Sequence, residues 1–203
     1  MTNKSDEILS LKEEIAEVSK RAFNRGLISG TGGNISARIN DTNQVIVTPT
    51  AVSLLDVVPE ALITVDLEGE IIDSPFGLKP SKETTFHIAA YQFRPEINAV
   101  AHLHPPYATA YSNKARPLPL VTISSRVVLK EVPWVECAAP GSSELHEYVK
   151  EALKKHGDVK AFLMKEHGVL ALGGDLKTAL YITDLVEATA KIAFIESNIM
   201  GKP

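Results

Sequence analysis

Apolar and polar positions along the chain follow a helical period in some segments and a strand period in others. Residues 5–25 place Ile8, Leu11 and Ile15 at the spacing of one buried helix face, which predicts an amphipathic helix ended by Gly26. Four further helices are predicted. They run from Ser81, as N-cap, to about residue 92, from Pro105 onward, over 143–156 and over 175–198.

Short apolar runs between these helices predict strands. They lie at 35–39, 45–48, 62–65, 70–72, 99–103, 161–164 and 169–172. Residues 62–65 and 70–72 are predicted to pair as a hairpin across Glu68-Gly69, whereas residues 117–136 show no strong period. Strands and helices that interleave without a repeat or linker predict a single α/β domain over residues 1–203.

Composition and charge narrow the class of protein. The net charge is −4 and no basic stripe occurs, which argues against a nucleic-acid partner but leaves a small phosphorylated substrate open. No apolar run approaches the ~18 residues of a membrane span, and no secretory signal precedes the first helix. The single cysteine, Cys137, excludes an intrachain disulfide. We therefore expect a cytoplasmic protein without a membrane partner.

Two histidines, His102 and His104, stand at the end of the apolar run 99–103. Residues two apart on a strand project from the same face, so both imidazoles can reach one metal ion. His167 also follows an apolar run, and three imidazoles with an open position are how a catalytic zinc is held. The alternative is that one or more of these histidines are structural and bond to backbone carbonyls.

Glu83 falls in the first turn of its predicted helix, where the helix dipole favours a carboxylate. A carboxylate beside a metal-bound substrate can move a proton, although a glutamate here can also serve only to start the helix. His87, one turn further on, is predicted to be a core histidine rather than a neighbour of the site. His146 and His156 are predicted to lie on a solvated helix face.

A glycine-rich turn, Gly30-Thr31-Gly32-Gly33-Asn34, offers backbone N–H groups of the kind that bind anions. Its glycine spacing and its position after a helix exclude the dinucleotide-binding fingerprint. Thr48, Thr50 and Ser81 add hydroxyls, and a helix N-terminus at Ser81 would favour a phosphate. Together these residues indicate a phosphomonoester site, with ordinary turns and caps as the alternative.

Five motifs occur in order along the chain. They are Gly30-Thr31-Gly32-Gly33-Asn34-Ile35-Ser36, Thr48-Pro49-Thr50, Pro80-Ser81-Lys82-Glu83, His102-Leu103-His104 and Glu166-His167-Gly168. From the first helix to about residue 195, the chain resembles the class II aldolase/adducin family, and its length is similar to that of the fuculose-1-phosphate aldolase branch. The resemblance implies a central, mostly antiparallel sheet flanked by helices, and a homotetramer with active sites near the subunit interfaces.

The resemblance also implies a site. One zinc ion per subunit would bind to His102, His104 and His167, although imidazole sites accept other divalent metals. Glu83 would be the catalytic acid/base and would also ligate the metal when no substrate is bound. The substrate phosphate would bind to Gly33, Asn34, Thr48, Thr50, Ser81 and Lys82.

The implied reaction is the reversible cleavage of a ketose 1-phosphate, like L-fuculose 1-phosphate, to dihydroxyacetone phosphate and an aldehyde. Binding of the substrate oxygens to a Lewis acid lowers the cost of the adjacent carbanion. Glu83 would exchange the proton at the carbon freed when the C3–C4 bond breaks.

The sequence departs from fuculose-phosphate aldolases at four places. Ala51 stands where they have Gly, and Lys82 stands where they have Ser. Their catalytic tyrosine before the Gly-Thr-x-Glu-Leu segment has no match at 137–141, and their tail tyrosine has none at 199–203.

Three alternatives follow from the same scaffold. The family's 3-oxo-tetronate 4-phosphate decarboxylases carry a pair like Lys82-Glu83 and, later in the chain, a pair like Pro140-Gly141. In a decarboxylase, Arg126 would bind a carboxylate or phosphate of the substrate, unless it is a surface arginine. Sugar-phosphate 4-epimerases use a further Asp downstream of the histidine pair, in the region where this chain has Ser124-Ser125-Arg126. A non-enzymatic adducin-like module would be favoured by loss of metal ligands, but the three histidines and Glu83 are present.

Overall fold

An eight-stranded sheet forms the centre of one α/β domain in the computed structural model, which describes residues 4–199. The strands are β1 (Asn34–Arg38), β2 (Gln44–Val47), β3 (Ile63–Asp66), β4 (Ile71–Asp73), β5 (Ala99–Leu103), β6 (Trp134–Val135), β7 (Ala161–Met164) and β8 (Gly168–Gly173). Their order is β4-β3-β2-β1-β5-β8-β7-β6, and only the β6–β7 pair is parallel. The predicted fold class, a mostly antiparallel sheet flanked by helices, is confirmed.

Six α-helices of the described residues cover the sheet. They are α1 (Lys4–Asn24), α2 (Thr84–Phe93), α3 (Pro106–Ser112), α4 (Ile123–Leu129), α5 (Ser143–Lys155) and α6 (Leu176–Ile199). Buried residues of α2 and α5 pack on one face of the sheet, and those of α1 and α6, with α3 and α4, pack on the other. Within residues 4–199, none of the helices combines the length and the apolar character that a membrane span requires.

Strand β5 shows how the layers are separated. Val100 packs in the core beneath α2 and α5, whereas Ala101 and Leu103 pack beneath α1 and α6. Since side chains alternate along a strand, His102 projects to the same side as Val100. The strand that brings the histidine pair to the site therefore directs it toward α2.

Most predicted elements are found, with ends shifted by one or two residues. The start of α2 was predicted wrongly: Glu83, not Ser81, is the N-cap, so Glu83 precedes the first helical turn. Pro80 forms a bridge to Pro49, and the Ser81 N–H donates to the Thr48 carbonyl at 3.3 Å. Because these sheet-like contacts engage residues 80 and 81, the helix begins only at Thr84.

Within residues 117–136, for which no element was predicted, the structure has α4 and β6. A Thr122 capping box starts α4, and β6 is only two residues long. Neither is long enough to leave a clear period in the sequence. The predicted domain limits, residues 1 and 203, lie outside the described residues, as does most of the tail segment 199–203.

Candidate active site

Antiparallel pairing of β5 with β8 brings the three predicted histidines together. Leu103 is opposite Val169, so the residue after β5, His104, lies beside the turn that precedes β8. His167 occupies that turn, and its N–H donates to the Met164 carbonyl at 3.0 Å. Residues 63 positions apart in sequence, His104 and His167, thus become neighbours.

The ring nitrogens of the three histidines converge. The Nε2 atom of His102 is 2.9 Å from Nε2 of His104 and 3.3 Å from Nε2 of His167. One nitrogen from each ring lies within 4.8 Å of the others. Three nitrogens at ~2.0–2.1 Å from a tetrahedral zinc would be roughly 3.3–3.4 Å apart, so the two distances from His102 are close to those of a metal centre.

Hydrogen bonding and burial prepare these nitrogens to act as ligands. The Nδ1–H of His102 donates to the Val169 carbonyl at 3.1 Å, which leaves the Nε2 lone pair free toward the other rings. Burial holds the pKa of His102 well below its usual value and, with the charge of His167, lowers the pKa of His104 to about 4. Both imidazoles are therefore neutral near pH 7, the form that binds metals.

Glu83 lies against this triad. Its Oε1 is 3.1 Å from Nε2 of His167, and its Oε2 is 3.4 Å from Nε2 of His102. The side-chain amide of Asn34 donates to Oε2 at 2.8 Å. Burial acts to raise the pKa of the Glu83 carboxyl, but the hydrogen bond to His167 and the neighbouring charges outweigh it and lower the pKa. The carboxylate is thus held in a fixed position beside the three imidazoles.

Two glycines allow the backbone to approach the histidines. A Cβ on Gly168 would lie 2.3 Å from the Leu103 carbonyl oxygen and 2.8 Å from Cδ2 of His104. Gly33 has a φ of +70°, and a Cβ there would lie 2.9 Å from the His102 carbonyl oxygen. Side chains at either position would displace the strand that carries the histidine pair.

A cleft of about 220 Å³ opens over the site. Its lining includes His104, His167, Glu83 and most of the residues predicted to bind phosphate, which are Gly33, Asn34, Thr50, Ser81 and Lys82. Three larger clefts of the described residues, of about 530, 490 and 310 Å³, contain none of the predicted site residues. His146 and His156 do not line the cleft over the site.

Thr48 is the predicted phosphate residue that the structure places elsewhere. It is buried and does not line the cleft, and its Oγ1 accepts the Ile35 N–H at 3.2 Å. Thr31, from the glycine-rich turn predicted to bind an anion, lines the cleft, as do Ala51 and Pro140, which were not predicted as site residues. Ala51 directly follows Thr50 in sequence, whereas Pro140 reaches the cleft from a distant loop.

The donor set fits a divalent cation. Three imidazole nitrogens and a carboxylate are ligands that zinc and related transition metals accept. The second ring nitrogen of His102 already has a backbone partner, as is usual for metal-binding histidines. A cation bound where the Nε2 atoms of His102, His104 and His167 converge would satisfy them together.

Comparison with known proteins adds independent information. The family model for the class II aldolase and adducin N-terminal domain matches residues 13–194. An L-fuculose phosphate aldolase from Methanococcus maripaludis is 34% identical over 186 residues, which are 92% of this chain and 97% of that protein. A 3-oxo-tetronate 4-phosphate decarboxylase from Haemophilus influenzae is 36% identical over 194 residues, 92% of this chain and 88% of that protein. A solved L-fuculose 1-phosphate aldolase has a TM-score of 0.87 and 29% identity, covering 96% of this chain and 89% of the other.

Proposed function

We propose that this chain, which belongs to the class II aldolase and adducin family, reversibly cleaves a ketose 1-phosphate to dihydroxyacetone phosphate and an aldehyde. At the coarser level, its relatives establish it as a metal-dependent lyase. The observation that carries the proposal is the convergence of three imidazole nitrogens beside the Glu83 carboxylate, in a cleft lined with hydroxyls and glycines.

His102, His104 and His167 would hold the cation, which we propose is one zinc ion per subunit, and Glu83 would contact it when no substrate is bound. Such an ion, when bound, acts as a Lewis acid that polarises a carbonyl and stabilises negative charge on the adjacent carbon.

Glu83 would exchange the proton that the reaction requires. When the C3–C4 bond breaks, its electron pair stays on C3, the C4 hydroxyl loses a proton and C3 must gain one. Asn34 and His167 hold the Glu83 carboxylate next to the place where the ketose carbonyl would lie. Glu83, a carboxylate in the free site, would take up the proton that the C4 hydroxyl loses and pass it to C3 in cleavage, and would move it in the opposite direction in condensation.

Other residues of the cleft lining would bind the phosphate. Gly33 and Thr50 offer a backbone N–H and a hydroxyl, and Ser81 and Lys82 line the cleft directly before Glu83 in sequence. Lys82 supplies positive charge, and a phosphate anchored there would leave C2 and C3 toward the histidines. Thr48 would contribute only indirectly, because its hydroxyl already accepts the Ile35 N–H.

The experiment is a panel of ketose 1-phosphates incubated with zinc-loaded protein, with dihydroxyacetone phosphate measured by a coupled reductase. We expect release from at least one member, its loss after chelation and its recovery when Zn²⁺ is added back. Turnover that chelation leaves unchanged would contradict the metal-dependent mechanism. Absence of triose phosphate from every member would contradict the aldolase assignment.

A decarboxylase acting on a 3-oxo acid phosphate is the second candidate. Lys82 adjoins both Glu83 and the cleft, and a cation there would also suit a substrate carboxylate. The relative that is 36% identical carries the name of such a decarboxylase. Release of carbon dioxide from 3-oxo-tetronate 4-phosphate, with no triose phosphate from any ketose, would decide for this alternative.

We also propose that the enzyme is a cytoplasmic homotetramer. On α4, Ile123 and Val127 are 75% and 69% exposed and lie one turn apart, as expected of a surface that another subunit covers. Cys137, the single cysteine, suits a reducing compartment. Light scattering should give the mass of four 22.0 kDa chains, and a mass of one chain would contradict the assembly.

A further inference from the structure

A buried polar network lies between α2 and the sheet, outside the cleft lining. Ser36 on β1 and His87 on α2 are fully buried, and Tyr91 is 1% exposed. The Ser36 hydroxyl is 2.7 Å from Nδ1 of His87 and 2.7 Å from the Tyr91 hydroxyl. Buried polar groups are costly unless they are paired, so three in one place need a structural or functional reason.

The register of β1 and α2 relates this network to the catalytic carboxylate. Asn34 and Ser36 lie two apart on β1, so their side chains project from the same face. Glu83 caps α2 and His87 follows four residues later, so they lie on the same side of the helix. Asn34 binds Glu83 and Ser36 binds His87, which gives two successive contacts between the same helix and the same strand.

These two contacts have different neighbours. Asn34 is opposite His102 on β5, whereas Ser36 is opposite Val100, one strand period further from the cleft. The contact between Ser36 and His87 is therefore deeper in the core than the contact between Asn34 and Glu83. A helix held at two points cannot easily rotate or shift along the strand, and its N-terminal residue is fixed accordingly.

We propose that His87, through Ser36 and Tyr91, is a positioning residue that sets the rotation and depth of α2 so that Glu83 meets Asn34 and His167. The inference rests on the proposed role of Glu83 as the acid/base. This role would fix the position of the Glu83 carboxylate without any contact between His87 and the substrate.

The protonation of the network agrees with this role. Burial lowers the pKa of His87 to about 3, with the charge of Glu83 opposing the shift, so the imidazole is neutral. The Tyr91 hydroxyl can then donate to the Ser36 hydroxyl, and the Ser36 hydroxyl can donate to the unprotonated Nδ1 of His87. The hydrogen bonds would thus run in one direction, from Tyr91 to His87. Among the described residues Nε2 of His87 has no hydrogen-bond partner, so Ser36 is the side chain that holds the ring.

The test compares crystal structures and steady-state kinetics of the zinc-loaded wild type with His87→Leu, His87→Asn and His87→Gln. Asparagine places an amide where Nδ1 stands and can still bond Ser36, whereas leucine cannot and glutamine places its amide nearer to Nε2. We expect His87→Leu to lose the 2.8 Å contact between Asn34 and Glu83 and to lose about 10–100-fold in kcat with little change in KM. The contact between Asn34 and Glu83 and the value of kcat should stay closer to the wild type in His87→Asn than in His87→Gln.

Ile88→Ala is the matched control, because Ile88 is buried on α2 but belongs to the apolar core. It should lower stability while the contact between Asn34 and Glu83 and the kcat stay as in the wild type. Ser36→Ala should also lower kcat, since it removes the hydrogen-bond partner of both His87 and Tyr91.

Two results would overturn the inference. One is that His87→Leu leaves the Glu83 position and kcat unchanged. The other is that Ile88→Ala changes the Glu83 position and kcat as much as His87→Leu does. If His87→Leu does not fold, equal Glu83 geometry and kcat in the Asn and Gln variants would overturn it. If the wild type cleaves no ketose phosphate, the proposed function fails, whereas the Glu83 geometry in the crystal structures still decides the role of His87.

Discussion

At the residue scale, the site depends on which ring nitrogen of each histidine is free. The Val169 carbonyl takes the Nδ1–H of His102, so Nε2 is left to face His104 and His167. The spacing of His102 and His104 in the sequence is sufficient to predict a shared face. The carbonyl that selects the tautomer is 67 residues away and depends on the pairing of β5 with β8.

His104→Ala should weaken zinc binding at least about 100-fold, since a lost ligand costs more than the 10–100-fold lost with an outer partner. Metal analysis after dialysis measures the effect. His156→Ala, which changes a histidine outside the cleft, is the control and should keep the wild-type metal content. Equal metal in the wild type and His104→Ala would exclude His104 as a ligand.

Glu83→Gln should keep the fold and the zinc but lose at least ~10²-fold in kcat, because the amide cannot exchange the proton. The amide keeps the size of the side chain and an oxygen that can accept from Asn34. Turnover close to that of the wild type, measured with the coupled reductase, would show that another group is the acid/base.

Thr48→Val and Thr50→Val should separate two roles that look alike in the sequence. Thr48→Val leaves the buried Ile35 N–H without an acceptor and should lower the free energy of unfolding by about 1–3 kcal/mol. Thr50→Val should leave stability unchanged and raise KM about 10-fold, as expected for a lost hydrogen bond to a charged phosphate. The same KM in Thr50→Val and the wild type would remove Thr50 from the phosphate site.

At the scale of elements, the site depends on how closely β8 approaches the end of β5. Gly168 allows this approach, since a Cβ would meet the Leu103 carbonyl oxygen at 2.3 Å. A glycine next to His167 is visible in the sequence, but the carbonyl that excludes a side chain there is not. The late start of α2 has the same kind of cause, because the bridge of Pro80 to Pro49 is a tertiary contact.

Gly168→Ala should destabilise the protein by about 1–3 kcal/mol and weaken zinc binding, because the strand carrying His104 must move. Gly174→Ala is the control: its Cβ would meet no atom within 4 Å, so stability should change by less than about 0.5 kcal/mol. Denaturant unfolding and zinc content of the two variants test this difference. Equal stability and zinc content in both would contradict the account of the close approach.

At the scale of the whole molecule, a sheet with helices on both faces collects residues from six separate segments around one cleft. Periodicity is sufficient to predict the long elements, such as α1 and α6, and their alternation predicts the fold class. It does not predict the strand order, because apolar runs of similar length carry no direction. The order matters for function, since β1 and β5 must be neighbours for Asn34 to lie beside His102.

The most direct test of the central claim is anomalous diffraction from a crystal of the zinc-loaded protein. The account predicts one strong peak per chain, ~2.0–2.1 Å from a nitrogen of His102, His104 and His167 alike. A peak bound elsewhere, or no peak between these three rings at full zinc loading, would contradict it.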